Sequence, residues 1–164
     1  MLNLTRDDGY QLCDDPGRLD VDRVHHWLAT DAYWAIGRPR DVTLRAVEGS
    51  RVYGVYRPGD GVQVAFGRVV TDGATFAWLC DVYVDRAERG RGLARWLVGT
   101  ARDELTGLGL RRILLATNDA HGVYAPLGFQ PLVNPERWME CFPQQVTPLT
   151  GKGSNPTEPL TVDR

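Results

Sequence analysis

Cys80-Asp81-Val82-Tyr83-Val84-Asp85-Arg86-Ala87-Glu88-Arg89-Gly90-Arg91-Gly92-Leu93-Ala94 is the stretch on which the reading of this chain turns. An apolar, β-branched run stops at a polar turn, and an Arg/Gly loop then opens directly into a helix. Gly90 and Gly92 let the backbone come close to a ligand and adopt conformations that a β-carbon would hinder. The loop's N–H groups and the positive end of the following helix dipole then face one anion. Arg89, Arg91 and Arg95 add charge-assisted donors suited to phosphate oxygens. The pattern is that of a phosphate cradle; the plainer alternative is a solvated, arginine-rich turn.

Working back from this loop, Val52 to Arg57, Val62 to Val70 and Thr75 to Val84 read as strands. They are separated by the turns Pro58-Gly59-Asp60-Gly61 and Thr71-Asp72-Gly73, so they form an antiparallel meander. Further upstream, Tyr10 to Asp14 reads as a short strand. Leu19, Val24, Trp27 and Leu28 fall at helical spacing, and Asp41 is expected to cap a second helix ending near Glu48. Downstream of the loop, Leu93, Trp96, Leu97, Ala101 and Leu105 share a helix face. Arg112 to Ala116 follows as a strand, Ala120 to Leu127 as a short helix, and Phe129 to Val133 and Trp138 to Phe142 as final strands.

Composition narrows the function classes. The chain has 164 residues, 43% of them hydrophobic and 24% charged, as an ordinary globular domain does. A net charge of −2 argues against a nucleic-acid partner, which needs a basic face. Cys13, Cys80 and Cys141 are odd in number and widely spaced, as reduced thiols of a cytoplasmic protein rather than a disulfide scaffold or metal site. The polar start from Met1 to Tyr10 is no signal peptide, and no run has the roughly 18 apolar residues of a membrane span. Pro143, Pro148, Pro156 and Pro159 lie among Gly, Ser and Thr, so residues 143–164 are expected to be a disordered tail behind a single domain, 1–142. A dinucleotide-binding fold, suggested by Gly90-x-Gly92, fails. The third glycine position is Arg95, the preceding strands are antiparallel, and Arg111-Arg112 stand where a ribose-binding carboxylate is needed.

Arg89-x-x-Gly92-x-Ala94, after a strand ending Val82-Tyr83-Val84, resembles the acyl-CoA signature of the GNAT superfamily of N-acetyltransferases, (Gln/Arg)-x-x-Gly-x-(Gly/Ala). The stretch Ala120-His121-Gly122-Val123-Tyr124-Ala125-Pro126-Leu127-Gly128-Phe129 is similar to that superfamily's second hallmark, a short helix with a tyrosine leading into Leu-Gly-Phe. The element order matches over residues 10–142. Tyr33-Trp34, Thr71-Asp72 and Asp119-Ala120-His121 resemble a bacterial subgroup to which these patterns assign no substrate. Two positions depart from the family pattern: Thr117 stands where many members carry asparagine, with Asn118 one place on, and Arg86 replaces the usual proline.

The resemblance implies a mixed α+β fold, with a mostly antiparallel sheet of about seven strands splayed in the middle and about four flanking helices. It also implies acetyl-CoA as co-substrate, no metal, and transfer to a primary amine of a small molecule. A protein or peptide acetyltransferase and a non-catalytic acyl-CoA-binding module stay open, as does a homodimer. The backbones of Val82 and Val84 would meet the pantetheine arm, although both side chains also suit a core. The amides of Arg89, Gly90, Arg91, Gly92, Leu93 and Ala94 would hold the pyrophosphate. Tyr124 would protonate the departing thiolate, since a phenol near 10 and a thiol near 8.5 are matched in pKa; otherwise it packs on the sheet.

The base is open between Asp81 and His121. Strand alternation puts the Asp81 side chain opposite those of Val82 and Val84, where a carboxylate needs a partner or a task. Tyr33, Trp34, Arg38 and Asp72 are candidate acceptor contacts with His121, or else aromatic core and turn formers.

Overall fold

The computed structural model describes residues 1–141. The chain opens with an antiparallel hairpin, Asn3–Thr5 (β1) and Gln11–Cys13 (β2), in which Leu4 stands opposite Leu12. The Arg6 N–H donates to the Tyr10 carbonyl and closes the Asp7-Asp8-Gly9 turn. β2 lies within the strand expected at residues 10–14. β1 is an addition, because three exposed residues carry no hydrophobic pattern and gain order only by pairing.

Asp20 caps the next helix, Val21–Thr30 (α1), by accepting the Arg23 N–H at 2.9 Å, and Val24, Trp27 and Leu28 are its buried stripe. The second helix, Arg40–Glu48 (α2), starts behind Pro39 with no side-chain cap. Asp41, expected as that cap, instead sits in the first turn and pairs with Arg45 at 2.8 Å. The meander follows as Arg51–Tyr56 (β3), Gln63–Thr71 (β4) and Ala77–Val84 (β5). Next come Leu93–Gly107 (α3), the two-residue strand Ile113–Leu114 (β6), and His121–Tyr124 (α4) with a 3₁₀ turn, Ala125–Leu127.

Among the described residues six strands pair in chain order, and of these pairs only β5 and β6 run parallel. One sheet face is sealed by α3, whose Leu93, Leu97, Val98, Ala101 and Leu105 are all buried. The other is covered from α1, where Trp27 stacks on Tyr83 at 5.2 Å between ring centres.

One irregularity in the meander sets up everything downstream. Ala77 and Leu79 belong to the core under α3, and so do Val82 and Val84, which breaks the period of two. The break is at Asp81, the only described non-glycine residue with positive φ, +50°. Phe66 pairs with Tyr83 and Arg68 with Cys80, so Asp81 and Val82 together face Gly67 across a bulge. Glycine is required there, since a β-carbon on Gly67 would stand 2.7 Å from the Leu97 side chain.

Residues Met1–Gln130 form one compact unit, and a second begins at Pro131. The described part of that second unit contains a single 3₁₀ turn, Pro135–Arg137. The expected strands at Phe129 to Val133 and Trp138 to Phe142 are absent among the described residues. In the first of them Pro131 removes a ladder donor, and Phe129 packs instead against the core under α3. Phe142 and the expected tail, 143–164, lie outside the described residues. No described helix is long and apolar enough to cross a membrane.

Leu97 is fully buried between α3 and the sheet. Its truncation, Leu97→Ala, is expected to lower unfolding free energy by about 2–5 kcal/mol, read from the urea midpoint at unchanged slope. A loss below about 0.5 kcal/mol would show that α3 does not hold the sheet.

Candidate active site

β6 pairs with β5 only at Ala77 and Trp78, yet β5 runs on to Val84. Beyond Trp78 the two strands part, and the β6-facing edge of β5 has no strand neighbour among the described residues. The opening is a cleft of about 720 Å³ with Val82 and Val84 on one wall and Ala120, Val123 and Tyr124 on the other. That size suits a small ligand or an extended arm of a larger one. At its far end the cleft reaches Gly90, Gly92 and the first residues of α3.

The loop is built to leave donors free. Asp85 caps the 3₁₀ turn Arg86–Glu88 through the Ala87 N–H at 3.0 Å. Gly92 precedes α3 at φ +75° and has no side chain to cap it, so the first N–H groups of a 15-residue helix point into the cleft region uncapped. Glu88 is buried beneath the loop. It accepts from the Tyr10 hydroxyl, from Arg57 at 3.2 Å and from Arg91 at 3.1 Å, which tie it to β2 and to the loop itself. The Tyr10 hydrogen bond, ahead of these arginines, holds the Glu88 carboxyl below its usual value.

Asp31, just after α1, gathers a second cluster. It accepts from the Tyr83 hydroxyl at 2.6 Å, from Arg86 Nε at 2.9 Å and from Arg89 at 3.3 Å. These partners, Arg86 first, push its carboxyl well below the carboxylate range. Arg89 also donates to the Val84 carbonyl at 3.0 Å, so its guanidinium is turned back on the end of β5. Of the three loop arginines, Arg91 and Arg89 have carboxylate partners. Arg95 lines the cleft with none among the described residues.

Tyr124 stands across the cleft from Val82 and Val84, with its ring edge-on to Phe129. Its hydroxyl makes no hydrogen bond to a described residue. Burial, then the nearby Tyr33 and Asp119, push its pKa up, so the phenol keeps its proton. A lobe of about 230 Å³ leads off beside it, walled by Tyr33, Trp34, Trp78, Cys80 and Asp119. Tyr33 meets Trp34 edge-on at 4.9 Å, and its oxygen accepts the Asn118 N–H at 3.1 Å. Thr117 accepts the Ala120 N–H at 3.0 Å and so shapes the start of α4.

Asp81 faces away from Val82 and Val84 and onto Arg68. It accepts Arg38 in a two-pronged pair at 2.7 and 3.1 Å, Arg68 at 2.7 Å and the Trp34 indole N–H at 3.0 Å. Burial works against its charge, but the two arginines outweigh that and hold its pKa low. A carboxylate with both oxygens doubly occupied is a poor proton acceptor. His121 is exposed at the start of α4 and lines neither the cleft nor the lobe. Asp72 caps the β4–β5 turn through the N–H groups of Ala74 and Thr75 and lines neither cavity.

The sequence matches the model of the Acetyltransferase (GNAT) family over residues 21–129. The chain belongs to the GNAT acetyltransferase family. A Gibberella zeae protein predicted to be an acetyltransferase is 35% identical over 135 residues, covering 71% of this chain and 76% of its own. A crystal structure of a GNAT-family protein from Xanthomonas campestris, likewise assigned as an acetyltransferase by prediction, is 39% identical. It covers 84% of this chain and 95% of its own, at a TM-score of 0.77. A Mycobacterium tuberculosis protein solved in complex with CoA is 20% identical, with a TM-score of 0.62 over 74% of this chain and 72% of its own; it shares the fold.

The structure brings Tyr33, Trp34, Val82, Val84, Tyr124 and, from the loop, Arg89, Gly90, Gly92, Leu93 and Ala94 around one cleft, and leaves Arg38, Asp72, Arg91 and His121 outside its lining. Asp31, Glu88 and Arg68 were not legible as site residues: Asp31 and Arg68 find their partners 13 to 58 positions away, and Glu88, although Arg91 lies three places on, is held mainly by the distant Tyr10 and Arg57. Asp119 had a signal, since it leads directly into the tyrosine helix.

Replacing Asp81 with Asn leaves two half-buried guanidiniums short of a counter-charge, and should cost about 3–5 kcal/mol of stability. The Asp81 contribution is whole above the unfolded carboxyl value near 3.9 and is lost as pH falls through the lower folded value. Acid titrations of stability should therefore fall more steeply for the native chain than for Asp81→Asn. Parallel curves would show that the Asp81 pairs contribute nothing to folding.

Proposed function

We propose that this GNAT enzyme transfers the acetyl group of acetyl-CoA to the primary amine of a small molecule by direct attack. The observation that carries this reading is the unpaired edge of β5 at Val82–Val84, ending on the uncapped start of α3, with Tyr124 across the cleft. An extended pantetheine arm fits beside that edge, where the backbones of Val82 and Val84 can pair with it and polarise the thioester carbonyl. The pyrophosphate fits the amides of Arg89, Gly90, Arg91, Gly92, Leu93 and Ala94, and Arg95 is free to meet a phosphate oxygen. CoA bound to a relative of the same fold supports this donor.

In the reaction the amine nitrogen attacks the thioester carbon, the C–N bond forms and the C–S bond breaks. The departing thiolate takes the Tyr124 proton, and the extra proton on the nitrogen leaves to water and restores the phenol. Asp81 is a positioning residue in this scheme. It holds Trp34 and Arg38, which removes it as the base.

Acetyl-CoA at a hundred times its Kd should raise unfolding free energy by about 2.7 kcal/mol, and NAD should not. Stabilisation by NAD alone would overturn the reading. Tyr124→Phe should lower kcat by roughly 10²–10⁴-fold with the acetyl-CoA Kd kept. With the phenol raised above its ordinary value near 10, kcat/KM should climb as the amine deprotonates and show no fall below about pH 10. A descending limb centred below about pH 9 would remove Tyr124 as the acid.

A further inference from the structure

The cleft sorts its charges. Arg86, Arg89 and Arg95 line it at the loop end together with Asp31 and Glu88, whereas the lobe beside Tyr124 has no basic residue among the described residues of its lining. Arg38 and Arg68 lie close by, but both are engaged with Asp81, and neither lines the lobe. The lobe's one carboxylate without a partner among the described residues is Asp119, which is exposed and borders both the lobe and the cleft. Its remaining walls are largely aromatic: Tyr33, Trp34 and Trp78 are each partly exposed at 46%, 44% and 36%. Indole and phenol faces attract cations and bind flat apolar bodies. The Trp34 ring is also anchored through its N–H to Asp81, so that wall is preset.

Size sets a further limit. A lobe of about 230 Å³ holds about eight groups the size of water, at about 30 Å³ each. An amine on a short apolar or aromatic body fits. A carboxylate or phosphate on the same molecule would enter beside Asp119 with no cation in the described lining of the lobe to meet it, an unfavourable like-charge contact.

Resting on the acetyltransferase reading above, we infer that the acceptor is a compact arylalkyl or alkyl amine carrying no anionic group, and that Asp119 is the specificity-determining residue that draws its ammonium into the lobe. The ammonium sheds its proton to water before attack, and Asp119 takes no part in the bond changes.

The test uses the full chain with acetyl-CoA and compares phenethylamine, phenylalanine and a lysine-containing peptide by thiol release. Phenethylamine should exceed phenylalanine, which differs from it only by the α-carboxylate, by about tenfold or more in kcat/KM. Asp119→Asn should raise KM for phenethylamine about tenfold, narrow that discrimination, and leave kcat within about twofold and the acetyl-CoA Kd unchanged. A loss confined to kcat would mark Asp119 as structural support for Tyr124 and overturn its assigned role. Equal turnover of phenylalanine would overturn the acceptor class while keeping the small-amine reading. Turnover of the peptide alone, or of none of the three, would overturn both.

Discussion

The carboxylate of Asp81 is the constraint from which the site follows. A non-glycine residue at φ +50° carries backbone strain of about 1–3 kcal/mol, and a carboxylate taken out of water costs several more. Both costs are met at one point by four hydrogen bonds from Arg38, Arg68 and Trp34. The geometry they hold is a bulge opposite Gly67, after which Val82 and Val84 point under α3 instead of away from it. The same contacts bind the Arg38 segment and the Trp34 ring to the sheet, so one carboxylate orients both the open edge of β5 and the Trp34 wall of the lobe.

The phosphate end is organised by the opposite device. The loop places three arginines within seven residues, a repulsive arrangement unless it is offset. Glu88 offsets Arg91 from below and Asp31 offsets Arg89 from the side. The backbone amides at the start of α3 are left without a side-chain cap, with Arg95 beside them in the cleft lining. The cleft is thus cationic at one end through uncapped N–H groups and one free guanidinium, and anionic at the other through Asp119. A donor carrying phosphates and an acceptor carrying an ammonium would be drawn to different ends.

Much of this was readable from local chemistry. The turns Pro58-Gly59-Asp60-Gly61 and Thr71-Asp72-Gly73 mark the meander, and the apolar period from Leu93 to Leu105 marks α3, because each signal lies within a few residues of what it controls. Asp41 misled, since a good capping residue does not cap when Pro39 has already set the helix start one residue earlier. Phe129 misled as well. An apolar residue two places before Pro131 reads as strand, but its ring is used in the core and the proline cannot extend a ladder. Asp81 was recognised as a residue needing a partner. Its partners, 13 to 47 positions away, were not.

By itself the sequence determined the order of elements from β2 to α4, the position of the glycine loop at the start of α3, and the tyrosine helix that follows. Each of these rests on periodicity, capping or turn chemistry acting over one or two turns of chain. Only the tertiary structure decided which carboxylates are occupied and which are open. Asp31 and Asp81 are matched to cations brought from distant segments, Glu88 to the distant Arg57 as well as to Arg91 of its own loop, whereas Asp119 is left facing a cavity. Charge compensation depends on proximity in space, and no spacing along the chain encodes it.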